Sequence, residues 1–452
     1  MTKLQVPFFR PALHEQEVNE VVATLRSGWL TSGPRVKRFE EEFAAAVGAI
    51  AAKGKGQRAK GKEESANGKS ERAKGEVHAV AVNSGTAALH LAVEALGLKA
   101  GQGVLVPTMT FAATAEVVRY QGAIPILVDC DPVTLNLDLE DAKRKVTSAG
   151  IRSQKSEVRS QKSGVSAHRP PISDLRPLTS GIVGIMPVHV GGRLMDLDRL
   201  RQFAKERQLW IVEDAAHAFP SRWRASADEP WQHRSNGSST VTCYSFYANK
   251  TITTGEGGMA ITSNAKLAQR MRLMSLHGLS ADAWGRYSSN GKWDYKIVAP
   301  GYKYNLTDIA AAIGIHQLDR AEAMRREREQ IAARYLEALA GVEQIELPPY
   351  DENRIDSWHL FAIKLRLKHL TINRDEFMNE LKRSGVGCSV HWRPLHLHPY
   401  YQKTFGWRAK DFPVATAQWK RLVSLPIFPG MREDEIEHVI RTIKRICVRR
   451  QR

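Results

Sequence analysis

Lys250 stands in "SFYANKTITTGEGG", between a run that reads as a strand through Phe246 and a second one, "GMAIT", so it lies near a strand end on a short connection. A lysine on a loop is ordinarily just solvated. Here the neighbours are aromatic, hydroxyl-bearing or glycine, a setting in which desolvation lowers an amine's pKa and makes it a nucleophile toward carbonyl compounds. Upstream, "IVEDAAHA" ends an apolar strand in Glu213 and Asp214. Strand alternation points these two acids to opposite faces, so at most one heads for a crevice at the strand end. A carboxylate there either holds a heteroaromatic nitrogen protonated or simply caps the following turn. Further upstream, "NSGTAAL" places Ser84, Gly85 and Thr86 where a strand gives way to a helix. Free backbone N–H groups at that point, with the helix dipole, favour an anion such as phosphate. The same stretch reads equally as a helix N-cap by Ser84 or Thr86.

The elements that must position these residues alternate. "VHAVAVN" leads into the helical "SGTAALHLAVEALGL", "GVLVP" into "FAATAEVVRYQG", "IPILVD" follows, "GIVGIMPVHV" leads into "MDLDRLRQFAKERQ", and "LWIVEDAAHAF" comes next. Strands so uniformly apolar suit a mostly parallel sheet covered on both faces by helices, an α/β fold in which ligands sit at the carboxyl ends of the strands. From about residue 308 one long helical pattern, "DIAAAIGIHQLDRAEAMRREREQIAARYLEALA", runs out of this unit. "WHLFAIKLRL", "TINRDEFMNELKRSG" and "EDEIEHVIRTIKRI" then predict a smaller α+β domain. The division expected is an N-terminal segment 1–35, a large α/β domain 36–325 and a small C-terminal domain 326–452.

The chain has 452 residues with 42% hydrophobic and 25% charged content, ordinary for a globular protein with a substantial core. Its formal charge of +18 is concentrated in three places. Residues 51–76 hold eight Lys/Arg against four Glu, residues 143–180 nine against two acids, and residues 441–452 six with no acid. The first two are low in complexity, the second carrying "RSQKSEV" and "RSQKSGV", and are read as inserts at 51–76 and about 147–178 that bury no apolar face. With no aromatic residues interleaved to stack on bases, this basic character predicts solvated appendages and no nucleic-acid partner. Cys130, Cys243, Cys388 and Cys447 have no paired spacing, so neither a zinc site nor a disulfide framework is indicated. The first residues lack the apolar core of a signal peptide and no stretch reaches membrane-spanning length, so a cytoplasmic protein without membrane association is expected.

A phosphate cradle, an acid at a strand end and a nucleophilic lysine, in that order, resemble the fold-type I pyridoxal-phosphate enzymes, and more narrowly the DegT/StrS family of sugar-nucleotide aminotransferases. The blocks that carry the resemblance run through nearly the whole chain outside the inserts: "SGWLTSGPRVKRFEEEF", "VNSGTAALHLAVEALGL", "VPTMTFAATAEVV", "PVHVGG", "VEDAAHA", "SFYANKTITTGEGG", "GYKYNLTDIAAAIG", "WHLFAIKL", "VHWRPLHLHPYY" and "SLPIFPGM". The resemblance implies that Lys250 forms a Schiff base with the aldehyde of pyridoxal 5′-phosphate and afterwards moves the donor's proton. It implies that Asp214 pairs with the ring nitrogen, that Gly85, Thr86 and Ser245 bind the phosphate, that Phe111 stacks on the ring, and that His217 sits beside the ring hydroxyl. Packing in the core is the alternative for Phe111.

Many members of that family carry "GYNYR", whose Asn reaches the cofactor phosphate of the other subunit of a homodimer and whose Arg, in some, meets the carboxylate of the amino donor. Here the block is "GYKYN", with Lys303 at the Asn position and Asn305 in place of the Arg. Lys303 still offers phosphate a point charge. By the same resemblance, Gly28, Trp29, Leu30 and Thr31, with His391 and the loop to Tyr400, are expected near the sugar nucleotide. The activity implied is amination of a nucleotide-linked keto sugar, at C4 rather than C3 from the C-terminal blocks, with L-glutamate as donor. Two rivals stand beside it: a dehydratase on the same cofactor, which carries His where Lys250 stands, and a regulatory or surface-binding protein using the basic inserts.

Overall fold

The computed structural model describes residues 4–48, 76–147, 181–279 and 296–452. Apart from their edges, the two expected inserts lie outside the described residues.

A seven-stranded sheet forms the centre of the larger unit. Its strands are β1 (His78–Val82), β2 (Gly103–Pro107), β3 (Ile124–Val128), β4 (Ile182–Ile185), β5 (Trp210–Asp214), β7 (Thr240–Ser245) and β8 (Gly258–Thr262), with the two-residue β6 (Arg222–Trp223) outside the sheet. The order is β1-β8-β7-β5-β4-β2-β3. Strands β3, β2, β4, β5 and β7 run parallel, as their continuous apolar character predicts, and β8 runs antiparallel to both β7 and β1. The reversal follows from the link. Residues 246–257 contain no helix to carry the chain back along the sheet, so the strand after them returns in the opposite direction. Lys250 lies on this link.

Helix Gly85–Ala95 buries every residue from Ala87 to Val93, so it is enclosed on all sides and directs its N-terminus at the strand ends. The long helical pattern after residue 308 is divided into Asp308–Asp319 and Ala321–Leu339. No glycine or proline marks the break. It falls at Arg320, whose guanidinium is tied to the Ala12 carbonyl and the Glu17 carboxylate of the N-terminal segment.

The C-terminal unit has its own three-stranded sheet. Two-residue β9 (Ile345–Glu346) and β12 (Leu422–Leu425) flank β11 (Phe361–Leu365), all antiparallel, while β10 (Arg354–Ile355) pairs with β6 of the larger unit. Helices Arg374–Arg383 and Glu433–Arg449 cover it through Phe377, Leu381, Val439 and Ile443, all fully buried. Val6 of the N-terminal segment joins this core and bridges to Val386. The described N-terminal segment therefore runs from the C-terminal unit to the larger one. Among the described residues no helix is long and apolar enough to cross a membrane.

Candidate active site

The carboxyl ends of β1, β5 and β7 converge on one cavity of about 520 Å³, closed on one side by His391 and Trp392 of the C-terminal unit. At one end, the Ser84 hydroxyl caps helix Gly85–Ala95 by accepting from Ala87 N at 3.0 Å. The N–H groups of Gly85 and Thr86, in the first turn, have no acceptor within the helix, as at any helix start. Both readings of this stretch therefore hold together: Ser84 caps, and the next two amides are available. Ser245, at the end of β7, borders the same cavity. The junction is tight enough to require glycine. A Cβ at Gly85 would lie 2.8 Å from Ser245 Cβ, and one at Gly258 would lie 2.5 Å from the Ser84 carbonyl carbon.

The two acids closing β5 take opposite sides. Glu213 is fully buried away from the cavity, bonded to His189 Nε2 at 2.9 Å, Ser235 N at 2.8 Å and Thr242 Oγ1 at 2.9 Å. Burial pushes its carboxyl up, but the bonds from His189, Ser235 and Thr242 outweigh this and hold it below the ordinary range. Asp214 lines the cavity. Its Oδ2 accepts from Thr114 Oγ1 at 2.7 Å and its Oδ1 from Ala216 N at 3.2 Å. Here burial prevails and raises the carboxyl pKa, against the lowering effect of Thr114, Ala216 and Lys250.

Lys250 enters from the link 246–257, which its threonines knit into a fixed shape. Thr253 Oγ1 donates to Phe246 O at 3.0 Å and accepts from Gly255 N at 2.9 Å, while Thr254 Oγ1 donates to Glu256 O at 2.7 Å. That is the structural use of the threonine and glycine run. Burial lowers the Lys250 amine from 10.5 to about 8, with the Asp214 carboxylate opposing the shift.

Three imidazoles surround this amine. His217 packs against His359 with ring centroids 4.1 Å apart and stacks on Trp392 at 5.0 Å. Burial first, and Lys250 second, push His217 and His359 well below the ordinary histidine range, and His391 to about 4. All three are neutral near pH 7. The Gly191 N–H donates to His217 Nδ1 at 3.3 Å, which leaves the ring proton on Nε2. Phe111 lines the cavity with 61% of its surface exposed, so core packing does not account for it.

The cavity thus gathers Gly85, Thr86, Phe111, Asp214, His217, Ser245, Lys250 and His391. The other residues singled out from the sequence lie outside its lining. Lys303 is exposed and donates to Asn305 Oδ1. Gly28, Trp29, Leu30 and Thr31 form an exposed turn after the first helix, where Trp29 Nε1 donates to Ser32 O at 3.0 Å and its ring borders a separate groove with Asn305. Tyr400 is exposed on helix Pro399–Phe405. Sequence reasoning missed Thr114, His359, Trp392 and Asn249. Thr110 and Thr114 are spaced to share a helix-like turn, which was visible in the sequence, but nothing there joins Thr114 to Asp214. Among the described residues no group of three or more His, Cys, Asp or Glu is disposed to hold a metal, and the four cysteines are free.

Pyridoxal phosphate fits this set of groups. A helix start and a hydroxyl suit its phosphate, a buried acid its basic ring nitrogen, an uncovered aromatic its ring face, and an amine of lowered pKa its aldehyde. Fold and site together define a fold-type I pyridoxal-phosphate aminotransferase. The model of the DegT/DnrJ/EryC1/StrS aminotransferase family matches residues 11–54 and 51–444, and the chain belongs to that family. It is 37% identical to the spore coat polysaccharide biosynthesis protein SpsC of Bacillus subtilis over 442 residues, 98% of this chain and 97% of that protein. Among solved structures it resembles Spr1654 of Streptococcus pneumoniae in its PLP form, with 28% identity, 99% of each chain covered and a TM-score of 0.77. It also resembles the sugar aminotransferase CalS13 of Micromonospora echinospora, with 27% identity, 97% and 99% covered and a TM-score of 0.72.

Proposed function

We propose that this protein transfers the amino group of L-glutamate to the keto carbon, at C4, of a nucleotide-linked sugar, working as a cytoplasmic homodimer. The observation that carries the reading is the meeting of Lys250, Asp214 and the Ser84–Thr86 helix start in one cavity. The sugar class is supported by CalS13, a sugar aminotransferase, and by SpsC, a polysaccharide biosynthesis protein.

When bound, pyridoxal phosphate supplies an electron-withdrawing ring that accepts the electron pair left behind as the donor's α-proton departs. The residues of this chain do the rest. The Gly85 and Thr86 amides and the Ser245 hydroxyl hold the phosphate. Asp214, fixed by Thr114 and Ala216, keeps a proton on the ring nitrogen. Phe111 covers one ring face, and His217 donates its Nε2 proton to the ring oxygen. Lys250 Nζ, whose pKa of about 8 leaves a working share of neutral amine, takes the proton from the donor Cα and later returns one to the sugar carbon that becomes the amine. A lysine at this position argues against the dehydratase, whose counterpart there is a histidine.

The second subunit supplies Lys303, which one chain leaves outside its own cavity, to the partner's phosphate, while the turn Gly28–Thr31 and Tyr400, with His391 of the cavity lining, lie around the sugar nucleotide. Ile297 and Val298 are apolar side chains left uncovered in a single chain and outside its cavity, which supports such an assembly. The test is to load the protein with the cofactor's amine form and add keto-sugar nucleotides one at a time. Return of the aldehyde-form absorption with a 4-keto sugar nucleotide, and not with its 3-keto isomer, is expected. Conversion only by 2-keto acids would refute the sugar assignment.

A further inference from the structure

Helix Ala321–Leu339 carries four arginines, and three of them are paired with acids: Arg325 with Glu322 and Glu329, Arg326 with Glu322, and Arg334 with Glu433 and Glu437. Arg328 differs. It is 5% exposed and forms no ion pair among the described residues. Its Nη1 reaches only Thr251 O, at 3.5 Å, and its Nε is buried without a hydrogen-bond partner. Burial draws the guanidinium down to about 10, Glu327 opposing, so it remains charged near pH 7. A buried charge left unpaired is costly, and structures retain one where something charged arrives to meet it.

Arg328 borders a small space of about 20 Å³ beneath Phe8–Ala12, and Asn249, Lys250 and His359 border it too. Those same three residues line the main cavity, so they are the partition between the two spaces. Asn249 Oδ1 is itself buried without a partner. The other arginine at the small space, Arg10, is committed to Glu435 at 2.9 Å. None of Ser84, Gly85, Thr86 or Ser245 borders it, so it is not an extension of the phosphate end.

An α-amino acid whose Cα proton is taken by Lys250 must hold its carboxylate next to that carbon, and therefore next to Lys250. A space of this size admits about one oxygen-sized group. One carboxylate oxygen can enter it to meet Arg328 while the other stays in the main cavity. The Asn249 amide, turned about its last bond so that Nδ2 faces the partition, then donates to the same carboxylate. We propose that Arg328, with Asn249, forms the subsite for the α-carboxylate of the amino donor. The inference rests on the transaminase reading and gives the donor a cationic partner, although Asn305 stands where an arginine would otherwise serve.

The experiment titrates the pyridoxal-phosphate holoenzyme with L-glutamate, L-alanine and the α-amide of L-glutamate, following loss of the aldehyde-form absorption. In Arg328→Gln, half-saturation by each α-amino acid that the parent accepts should rise about 10- to 100-fold, the range for losing a hydrogen bond to a charged group. The α-amide, already lacking the negative charge, should be unaffected, and the cofactor spectrum before titration should match the parent. Should Arg328→Gln fail to fold, Arg328→Lys keeps the charge and should give a smaller rise for the acids, again sparing the amide. Equal effects on acids and amide, or no effect on either, overturn the subsite while leaving transamination standing. A parent that responds to no amino acid overturns both.

Discussion

The Thr114 hydroxyl donates to Asp214 Oδ2 at 2.7 Å across a separation of 100 residues, and with its own proton so committed it accepts from Thr110 Oγ1, also at 2.7 Å. The buried acid is thereby held by a residue at the start of helix Ala113–Tyr120, and its carboxyl is stabilised in the charged form against the burial that raises its pKa.

Removing that bond should weaken the grip on the cofactor. Thr114→Val keeps the shape of the side chain and loses the donor, so the Asp214 pKa should rise further and affinity for pyridoxal phosphate should fall by about 1.5–3 kcal/mol, the worth of a hydrogen bond to a charged group. Thr114→Ser should restore most of it. Equilibrium dialysis of the three proteins measures this, and a valine variant within twofold of the parent would show that Thr114 is only a packing residue.

Lys250 predicts a pH dependence in the protein without cofactor. Its amine falls from 10.5 to about 8 on folding, so between these values the unfolded chain carries the extra proton and stability should rise with pH across that window. The neutral amine is also the form that captures an aldehyde, so the rate of covalent capture should climb through pH about 8. In Asp214→Asn the opposing carboxylate is gone, and the midpoint of that climb should move to lower pH. Stopped-flow absorbance across pH reads both midpoints, and an upward move in the variant would contradict the assigned pairing.

Lys250→Ala should fold and hold pyridoxal phosphate through the phosphate cradle and Asp214 without covalent attachment. Turnover should drop by at least the 10²–10⁴ expected for loss of proton transfer alone. After borohydride reduction, peptide mapping should find the cofactor on "ANKTITTGEGG" in the parent and on no peptide of the variant. Attachment to another lysine would reassign the nucleophile.

Lys303→Ala tests the contribution across the subunit boundary. Because the residue is exposed and lies outside the cavity of its own chain, the substitution should leave the homodimer intact in light scattering while pyridoxal phosphate is lost faster on dialysis. Unchanged retention would remove Lys303 from the phosphate site, and an active monomer would remove the assembly itself.

Much of this site was legible in the sequence because its parts are local. An apolar run that ends in an acid, a hydroxyl and glycine at a helix start, and a lysine on a helix-free link are each determined within about ten residues, by hydrogen-bonding geometry and side-chain alternation. Alternation alone placed Glu213 and Asp214 on opposite faces. Which face is the cavity was decided by tertiary structure: His189, Ser235 and Thr242 converge on Glu213, and Thr114 on Asp214. The break at Arg320 and the burial of Arg328 belong to the same class. In "AEAMRREREQ" three arginines and two glutamates follow one another with nothing in the sequence to mark one residue as different. Arg328 is buried because Phe8–Ala12 crosses over it from more than three hundred residues earlier in the chain. Local pattern determines what an element is, whereas burial and charge pairing depend on which distant surfaces close over it, and that is settled only when the elements pack.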